Sequence, residues 1–202
     1  MRNEFTSSIK AHQEAFGQKL HEDAIERLAD YYELILEHNP ILHLVGPCTA
    51  EEFATRHVLE SLTLLEYLPR GSRFADIGTG GGLPSIPCLL VRSDLKAVLI
   101  ESKEKKTKFL EIATSSLKIN QRVAVVNKQF QEVDPGNCES ITCRALDKFT
   151  EKLPRLLKWR KRRQMLLFGG PNLRDELNNQ KATFVEKLMP MSEQRFLFVL
   201  NR

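Results

Sequence analysis

A glycine-rich turn between a predicted strand and a predicted helix constrains the fold of this 202-residue chain more than any other segment. Residues 73–77 are predicted to form a strand, residues 78–82 (G-T-G-G-G) the turn, and residues 83–91 a short helix. Glycine accepts positive φ angles and lets the backbone approach a ligand without a Cβ clash. This order of elements is typical of the ligand-binding turn in a parallel sheet of Rossmann type.

Strands and helices continue to alternate after the turn. Strands are predicted at residues 95–100, 123–126, 141–143, 165–168, 183–188 and 195–200, and helices at residues 103–119 and 153–159. This alternation implies an α/β fold, with a mostly parallel sheet covered by helices on both faces. The inner face of the longer helix is predicted to include Ile112. No helix separates the last two strands, so we expect an antiparallel C-terminal hairpin that makes one edge strand antiparallel.

The residues before the first strand are predicted to be helical throughout. Between residues 21 and 38, apolar residues recur at intervals of three and four, which indicates a helix that ends at Asn39–Pro40. Thr49 and Glu52 match the capping box that starts a second helix.

The chain is therefore predicted to have two domains, which carry opposite charge. They are an N-terminal helical cap at residues 1–70 and a Rossmann-like domain at residues 71–202. The cap holds six Lys or Arg against twelve Asp or Glu, whereas the second domain holds 24 against 14. A basic domain favours a polyanionic substrate, and ordinary solvated charge is the alternative.

The composition argues against a membrane, secreted or metal-binding protein. No run approaches the roughly 18 apolar residues of a membrane span, and residues 1–10 lack the apolar stretch of a secretory signal. The four cysteines form no C-x-x-C pair, so we expect reduced thiols and no metal. We expect a cytoplasmic monomer.

Acidic residues at the ends of the first two strands indicate which ligand the turn holds. A nicotinamide enzyme has G-x-G-x-x-G, and Gly78 and Gly80 fit this pattern, but the third position is Leu83. The chain instead has D-x-G-x-G-x-G, the usual form in enzymes that use S-adenosylmethionine. Asp76 could then bind the ammonium group of that cofactor, directly or through water. Glu101 could accept both ribose hydroxyl protons, and the alternative for Glu101 is a solvated acid at a strand end.

A basic cluster lies at the end of the helix predicted at residues 153–159. Such clusters bind phosphates, and one aromatic side chain among them could stack on a base. The alternative is a solvated helix end that the helix dipole favours. The candidate RNA-binding residues are Lys158, Trp159, Arg160, Arg162 and Arg163. A second basic patch is predicted near the cofactor at Lys103, Lys105, Lys106 and Lys108.

Four segments resemble the bacterial small-subunit rRNA methyltransferase G family, also called glucose-inhibited division protein B. Residues 76–87 (D-I-G-T-G-G-G-L-P-S-I-P) are similar to the family's signature around the glycine turn. Residues 56–61 (R-H-V-L-E-S), 101–110 (E-S-K-E-K-K-T-K-F-L) and 143–145 (C-R-A) are similar to further family motifs. The resemblance runs from about residue 20 to the end of the chain.

The resemblance implies a class I methyltransferase that transfers a methyl group from S-adenosylmethionine to N7 of one guanine in the 16S rRNA of the small ribosomal subunit. It implies that Gly78 and Leu83 line the cofactor pocket and that Phe130 and Gln131 contact the adenine. Arg144 is the implied catalytic residue, beside the methionine moiety and the target base. Guanine N7 carries a lone pair and no proton, so alignment rather than a general base has to supply the acceleration.

The chain departs from the family pattern at residues 167–170. They are L-F-G-G where the family usually has A-L-K-G, so a lysine is missing. Three alternatives therefore stay open. The chain could methylate a small molecule or a protein, or it could be a degenerate member that binds RNA without catalysis. The third is a nicotinamide oxidoreductase, against which Leu83 argues.

Overall fold

The computed structural model describes residues 1–144 and 146–202, so Ala145 of the C-R-A segment lies outside the described residues. Helices come first, as predicted. The segments before the first strand are α1 (Arg2–His12), a 3₁₀ turn (Gln13–Phe16), α2 (Glu22–Leu42), α3 (Ala50–Glu52), a π-helical segment (Phe53–Leu59), α4 (Glu60–Leu62) and a 3₁₀ turn (Thr63–Glu66). The predicted capping box is confirmed, because Thr49 and Glu52 each accept a hydrogen bond from the other's backbone N–H.

Seven strands form one sheet in the order β3-β2-β1-β4-β5-β7-β6. They are β1 (Arg73–Ile77), β2 (Lys96–Ile100), β3 (Val123–Val126), β4 (Ser140–Arg144), β5 (Gln164–Gly169), β6 (Val185–Leu188) and β7 (Phe196–Leu200). The helices between strands are α5 (Ser85–Val91), α6 (Glu104–Ser116), α7 (Phe149–Trp159) and α8 (Pro171–Asn179). Strands β1 to β5 pair in parallel, and the C-terminal hairpin is antiparallel. The predicted α/β class of Rossmann type is confirmed.

The sequence predicts an antiparallel strand at an edge of the sheet, whereas the strand that runs antiparallel to β1–β5 is β7, which lies inside the sheet. β7 pairs antiparallel with β5 on one side and with β6 on the other. All five of its residues (F-L-F-V-L) are apolar and buried, so the strand needs cover on both faces. β6 carries Glu186 and Lys187 and takes the edge, where charged side chains discourage pairing with another chain.

The predicted end of α2 and the predicted inward position of Ile112 in α6 are wrong, and the sequence does not predict α8. α2 continues through Pro40 to Leu42, because His43 adopts a left-handed φ of 47° and its N–H caps the carbonyl of Asn39. Ile112 is 48% exposed rather than on the inner face of α6. At 100° per residue, the buried side chains of that helix centre near Leu110, and Ile112 lies about 150° from that centre, on the exposed face.

One hydrophobic cluster joins the helices of the predicted cap to the sheet. Phe5 and Tyr31 of the cap are fully buried in the same cluster as Phe74 of β1 and Leu197 of β7. A second cluster covers the other face of the sheet and includes the buried Leu153 of α7. The predicted boundary at residue 70 therefore crosses a continuous core.

Candidate functional site

A cavity lies where the strand order reverses, between β1 and β4. The chain leaves β1 toward β2 on one side and later places β4 on the other. Ligands of open α/β sheets bind at such a switch point, outside the carboxyl ends of the strands. The first cavity, of about 440 Å³, is lined by Gly78, Gly80, Leu83, Glu101, His57 and Arg144 among others. Five of these six had been singled out from the sequence as cofactor-binding candidates.

The glycine turn has the backbone shape that the sequence predicts. Gly78, Gly80 and Gly82 have φ angles of 65°, 58° and 93°, which side-chain-bearing residues rarely adopt. The N–H of Gly78 donates to the carbonyl of Ile100 at 2.8 Å, which fixes the turn to the end of β2. A Cβ at Gly78 would lie 2.6 Å from Cδ1 of Leu146, so a larger residue would push into the cavity wall.

Glu101 is the acid that the turn and β2 present to the first cavity. It is 6% exposed. Oε2 accepts from the N–H of Gly80 at 3.0 Å, and Oε1 accepts from the N–H of Lys103 at 2.8 Å. Each carboxylate oxygen has a second lone pair. Glu101 is thus held in place by backbone donors and can still accept protons from a ligand.

Asp76 lies beneath the turn rather than in the cavity, which argues against a direct contact with the cofactor ammonium, while the contact through water stays a prediction. The side chain is fully buried and does not line the first cavity. Its Oδ2 accepts from the hydroxyls of Thr79 and Ser85, both at 2.6 Å. Oδ1 has no hydrogen-bond partner among the described residues. Burial raises the pKa of Asp76 to about 7, against the lowering effect of the two hydroxyls. Asp76 therefore holds the turn to α5.

The predicted cap forms one wall of the first cavity. The hydroxyl of Tyr31 in α2 donates to the carbonyl of Gly81 at 2.9 Å, and both groups are buried. His57, in the π-helical segment, also lines the cavity. Burial, with the charges of Arg144 and Arg56 nearby, lowers the pKa of His57 to about 3. This histidine is therefore neutral near pH 7 and does not serve as a proton donor.

Arg144 fastens the end of β4 to the cap. Its side chain is 14% exposed. Nη2 donates to the backbone carbonyl of Arg56 and to Oε2 of Glu60, the latter at 3.3 Å, and Nη1 donates to Oγ of Ser61 at 3.3 Å. Its terminal nitrogens are thus bonded to the cap, although the guanidinium also lines the first cavity. From the sequence, Glu60 is expected to brace the cap against the site together with His57 and Arg56, but its pairing with Arg144 is not predicted.

Phe130 and Gln131 are absent from the lining of the first cavity, but Phe130 lines a small neighbouring cavity that shares Gln129 with it. The adenine contact that the resemblance implies for these two residues stays a prediction. The ring of Phe130 is 4% exposed and packs edge-on against Trp159, with ring centroids 5.7 Å apart. Gln131 is exposed and absent from the cavity lining. The neighbouring Gln129 lines the cavity instead.

The basic cluster at the end of α7 lies at the opposite edge of the sheet from the first cavity. α7 begins after β4 at the carboxyl edge, and its eleven residues carry the chain about 15 Å toward the amino edge. Three of the five candidates form internal bonds there. Arg160 donates to the carbonyl of Leu200 at 3.3 Å, Arg163 to that of Cys138 at 2.9 Å, and the indole of Trp159 to that of Val133 at 2.8 Å. Trp159 is therefore a packing residue rather than a platform for a base, while Lys158 and Arg162 are exposed.

A nucleoside with a charged amino-acid tail fits the groups around the first cavity. Glu101 presents a carboxylate at a strand end, the glycine turn presents backbone without side chains, and Leu44 and Leu83 present apolar surface. The volume falls in the usual range of small-molecule sites. Residues 1–144 and 146–202 contain no group of three or more His, Cys, Asp or Glu that could hold a metal ion. Within the same residues, no helix has both the length and the apolar composition to cross a membrane.

The sequence matches one protein family over most of its length. The model of the family described as rRNA small subunit methyltransferase G matches residues 24–196. The ribosomal RNA small subunit methyltransferase G of Sorangium cellulosum is 33% identical over 187 residues, which cover 85% of this chain and 78% of that protein. The protein of the same name from Brachyspira hyodysenteriae is 29% identical over 194 residues, which cover 91% of this chain and 93% of that protein.

The fold also matches solved structures. The crystal structure of the B. subtilis M1A22 tRNA methyltransferase aligns with a TM-score of 0.54 at 16% identity, covering 71% of this chain and 65% of that chain. At this identity the likeness concerns the fold alone.

Proposed function

The chain belongs to the rRNA small subunit methyltransferase G family, and on that premise we propose that it methylates N7 of one guanine in 16S rRNA, with S-adenosylmethionine as methyl donor. The membership rules out the nicotinamide oxidoreductase. The observation that carries the proposal is the first cavity at the switch point, with the glycine turn and the Glu101 carboxylate bonded to it side by side in the lining. The experiment below tests the proposed methyl donor and the proposed RNA substrate.

Named residues would hold the cofactor in the first cavity. Glu101 accepts the ribose hydroxyls with its remaining lone pairs, and the glycine turn leaves room for the methionine moiety beside Arg144. The amides of Gly82 and Leu83 already donate to the carbonyl of Thr79, so they do not bind the cofactor carboxylate. When bound, the cofactor would supply a methyl group activated by its sulfonium, for in-line attack by a nucleophile on the methyl carbon with S-adenosylhomocysteine as the leaving group.

The chemistry of guanine N7 agrees with the protonation states at the site. N7 has a free lone pair and no proton, so no side chain has to remove a proton before attack. His57, the titratable ring in the lining, is neutral near pH 7 and lacks a partner for Nδ1 among the described residues. The chain's task is alignment of donor and acceptor within a site shielded by the cap.

RNA binding is assigned to two basic surfaces. The first consists of Lys103, Lys106 and Lys152, which line the first cavity at the carboxyl edge. The second consists of Lys158 and Arg162 at the amino edge, where both side chains are exposed. Lysine and arginine at such positions neutralise phosphates without reading sequence. In this proposal the enzyme acts as a cytoplasmic monomer on the small ribosomal subunit, with residues 1–70 as its cap.

Methyl transfer to RNA is the direct test. The protein is incubated with cofactor carrying a labelled methyl group and with 30S subunits, naked 16S rRNA or a protein extract without RNA. We expect label in 16S rRNA at one guanine, mapped by chain cleavage at N7-methylguanine. Glu101→Ala, as a control, loses the signal because the ribose acceptor is gone. Label confined to protein or small molecules, or absent from every RNA, would contradict the proposal.

A further inference from the structure

A second cavity, of about 430 Å³, adjoins the first at the carboxyl edge of the sheet. Arg144 and Leu146 line both cavities and form the wall between them. The remaining lining is mostly apolar and aromatic, with Phe149, Phe168 and Phe196. A flat apolar group bound there would therefore lie beside whatever occupies the first cavity.

Glu60 fixes two arginines at the border of the second cavity. Its side chain is 2% exposed, and both carboxylate oxygens are paired. Oε1 accepts from Nε of Arg195 at 2.6 Å, and Oε2 accepts from Nη2 of Arg144 at 3.3 Å. A carboxylate buried between two guanidinium groups is satisfied on both sides, and it neutralises one of the two positive charges.

The two arginines differ in the donors that they have left. Both terminal nitrogens of Arg144 are bonded to residues of the cap. Arg195 uses Nε toward Glu60, and neither of its terminal nitrogens has a hydrogen-bond partner among the described residues. Its side chain is 35% exposed and lines the second cavity. The Nη1 and Nη2 groups of Arg195 can therefore donate to an occupant of that cavity, while the bond from Nε to Glu60 holds the guanidinium in place.

Gly169, at the end of β5, and Leu173 of α8 form another part of the lining of the second cavity. A Cβ at Gly169 would lie 2.5 Å from Cδ2 of Leu173, which packs directly against it. The ring of Phe196 forms one side of the space, with the guanidinium of Arg174 over its centroid at 4.3 Å. Arg174 does not line the cavity.

We propose that the second cavity holds the acceptor guanine, taken out of the RNA stack, and that Arg195 selects it by donating to O6. This inference rests on the proposed function and names the site of its substrate. Enzymes that modify a base extrude it into a pocket of aromatic and apolar side chains, which agrees with this lining. A phosphate is a poorer occupant, because Glu60 neutralises one arginine and most of the remaining lining is apolar, with Thr150 and Asn172 as its uncharged polar residues.

The donors of Arg195 distinguish guanine from adenine. Guanine presents O6 and N7 as acceptors on one edge, whereas adenine has an N–H₂ donor in place of O6. A guanidinium can therefore donate a hydrogen bond to O6 of guanine, whereas in adenine its N–H groups would meet the N–H₂ donor and form no hydrogen bond. Because Glu60 holds Nε, donation to O6 comes from the terminal nitrogens, which leaves the lone pair of N7 for the methyl group.

Nucleotide binding tests the inference without RNA. Guanosine monophosphate and adenosine monophosphate are titrated into protein saturated with S-adenosylhomocysteine, by calorimetry at millimolar nucleotide. We expect wild type to prefer the guanine nucleotide, and Arg195→Ala to lose about tenfold or more of that affinity. Arg174→Ala, which removes a guanidinium from the same Phe196 ring outside the cavity, should behave as wild type. Equal binding of both nucleotides by wild type, or unchanged binding by Arg195→Ala, overturns the inference.

Kinetics with 16S rRNA separate this inference from the proposed function. Arg195→Ala should lower kcat/KM for RNA at least tenfold while the Kd for the cofactor stays as in wild type, and Arg195→Lys should restore part of the loss. A parallel rise in the cofactor Kd would make Arg195 part of the first cavity and overturn the inference. Wild-type methylation of 16S rRNA with unchanged kinetics for Arg195→Ala overturns it too, yet leaves the proposed function standing. No methylation of any RNA refutes the function, and the nucleotide titration still decides the occupant.

Discussion

Asp76 is a carboxyl group buried under a turn, and its protonation is tied to folding. Its pKa is raised by burial from 3.8 to about 7 in the folded protein. A raised pKa means that the folded state binds the proton more tightly than the unfolded state does. The resulting stability is fully present below about pH 4 and is lost as pH rises through 7.

This shift predicts a pH-dependent difference between wild type and Asp76→Asn. Asparagine keeps the shape and an acceptor for Thr79 and Ser85 but does not titrate. Between pH 4 and pH 8, the free energy of unfolding of wild type should fall relative to the variant, by about 4 kcal/mol at most. Urea unfolding of both proteins without cofactor, at several pH values, measures this. Parallel pH profiles would show that Asp76 does not titrate in this range.

The glycine turn predicts the effect of a bulkier residue at Gly78. Gly78→Val places a branched side chain at a φ of 65° and its Cβ within 2.6 Å of Leu146, so cofactor binding should be abolished. Gly136→Val is the matched control, because its φ of 58° imposes the same backbone strain with open space around the Cβ. Calorimetry with S-adenosylhomocysteine compares the two variants. Wild-type affinity in Gly78→Val would contradict the placement of the site.

At the residue scale, the sequence predicted the positions that local backbone rules decide. The positive φ angles follow from the glycines alone, and Glu101 follows from its place at the end of β2. The burial of Asp76 depends on the hydroxyls of Thr79 and Ser85 closing over it, which no spacing rule encodes.

At the scale of elements, α7 carries its basic cluster away from the first cavity. Residues that look alike in sequence separate into two groups in the fold: Arg160 and Arg163 bond to backbone carbonyls, while Lys158 and Arg162 are exposed. Charge clustering alone does not predict which arginines are bonded internally, because their partners belong to distant segments. For the same reason, the sequence placed β7 at an edge, although burial of its five apolar residues requires a neighbour on each side.

The exposed side chains of Lys158 and Arg162 predict how RNA affinity depends on salt concentration. Reversing both charges, in Lys158→Glu with Arg162→Glu, should weaken RNA binding and reduce the slope of log affinity against log salt by about one to two. The cofactor Kd should not change, since the first cavity lies at the opposite edge. Lys181→Glu with Lys118→Glu, also a double charge reversal at exposed positions, controls for net charge. Equal slopes for the Lys158/Arg162 variant and wild type would remove the amino edge from the RNA-binding surface.

At the scale of the whole molecule, the predicted cap and the sheet share one core and one set of polar links. Tyr31 bonds to the glycine turn, and Glu60 joins Arg144 and Arg195 across 84 and 135 residues of sequence. Helical periodicity predicts the first segment and strand–helix alternation predicts the second. Neither pattern predicts hydrogen bonds between residues so far apart in sequence. The site is therefore built by both segments together.

This shared core predicts that both segments unfold together. The fluorescence of Trp159, the one tryptophan, reports on the cluster beneath β4 and β5, while far-UV circular dichroism reports on the helices of both segments. Thermal and urea transitions followed by the two probes should coincide. Tyr31→Phe, which removes the hydroxyl bonded to Gly81, should shift both curves equally. Two separated transitions would mean that residues 1–70 form an independent unit.

A crystal structure of the protein with S-adenosylhomocysteine tests the central claim most directly. The account predicts the nucleoside in the first cavity, with its ribose hydroxyls within hydrogen-bonding distance of Glu101 and its amino-acid end at the glycine turn beside Arg144. Density for the nucleoside outside this cavity, or a ribose that does not contact Glu101, would contradict the account.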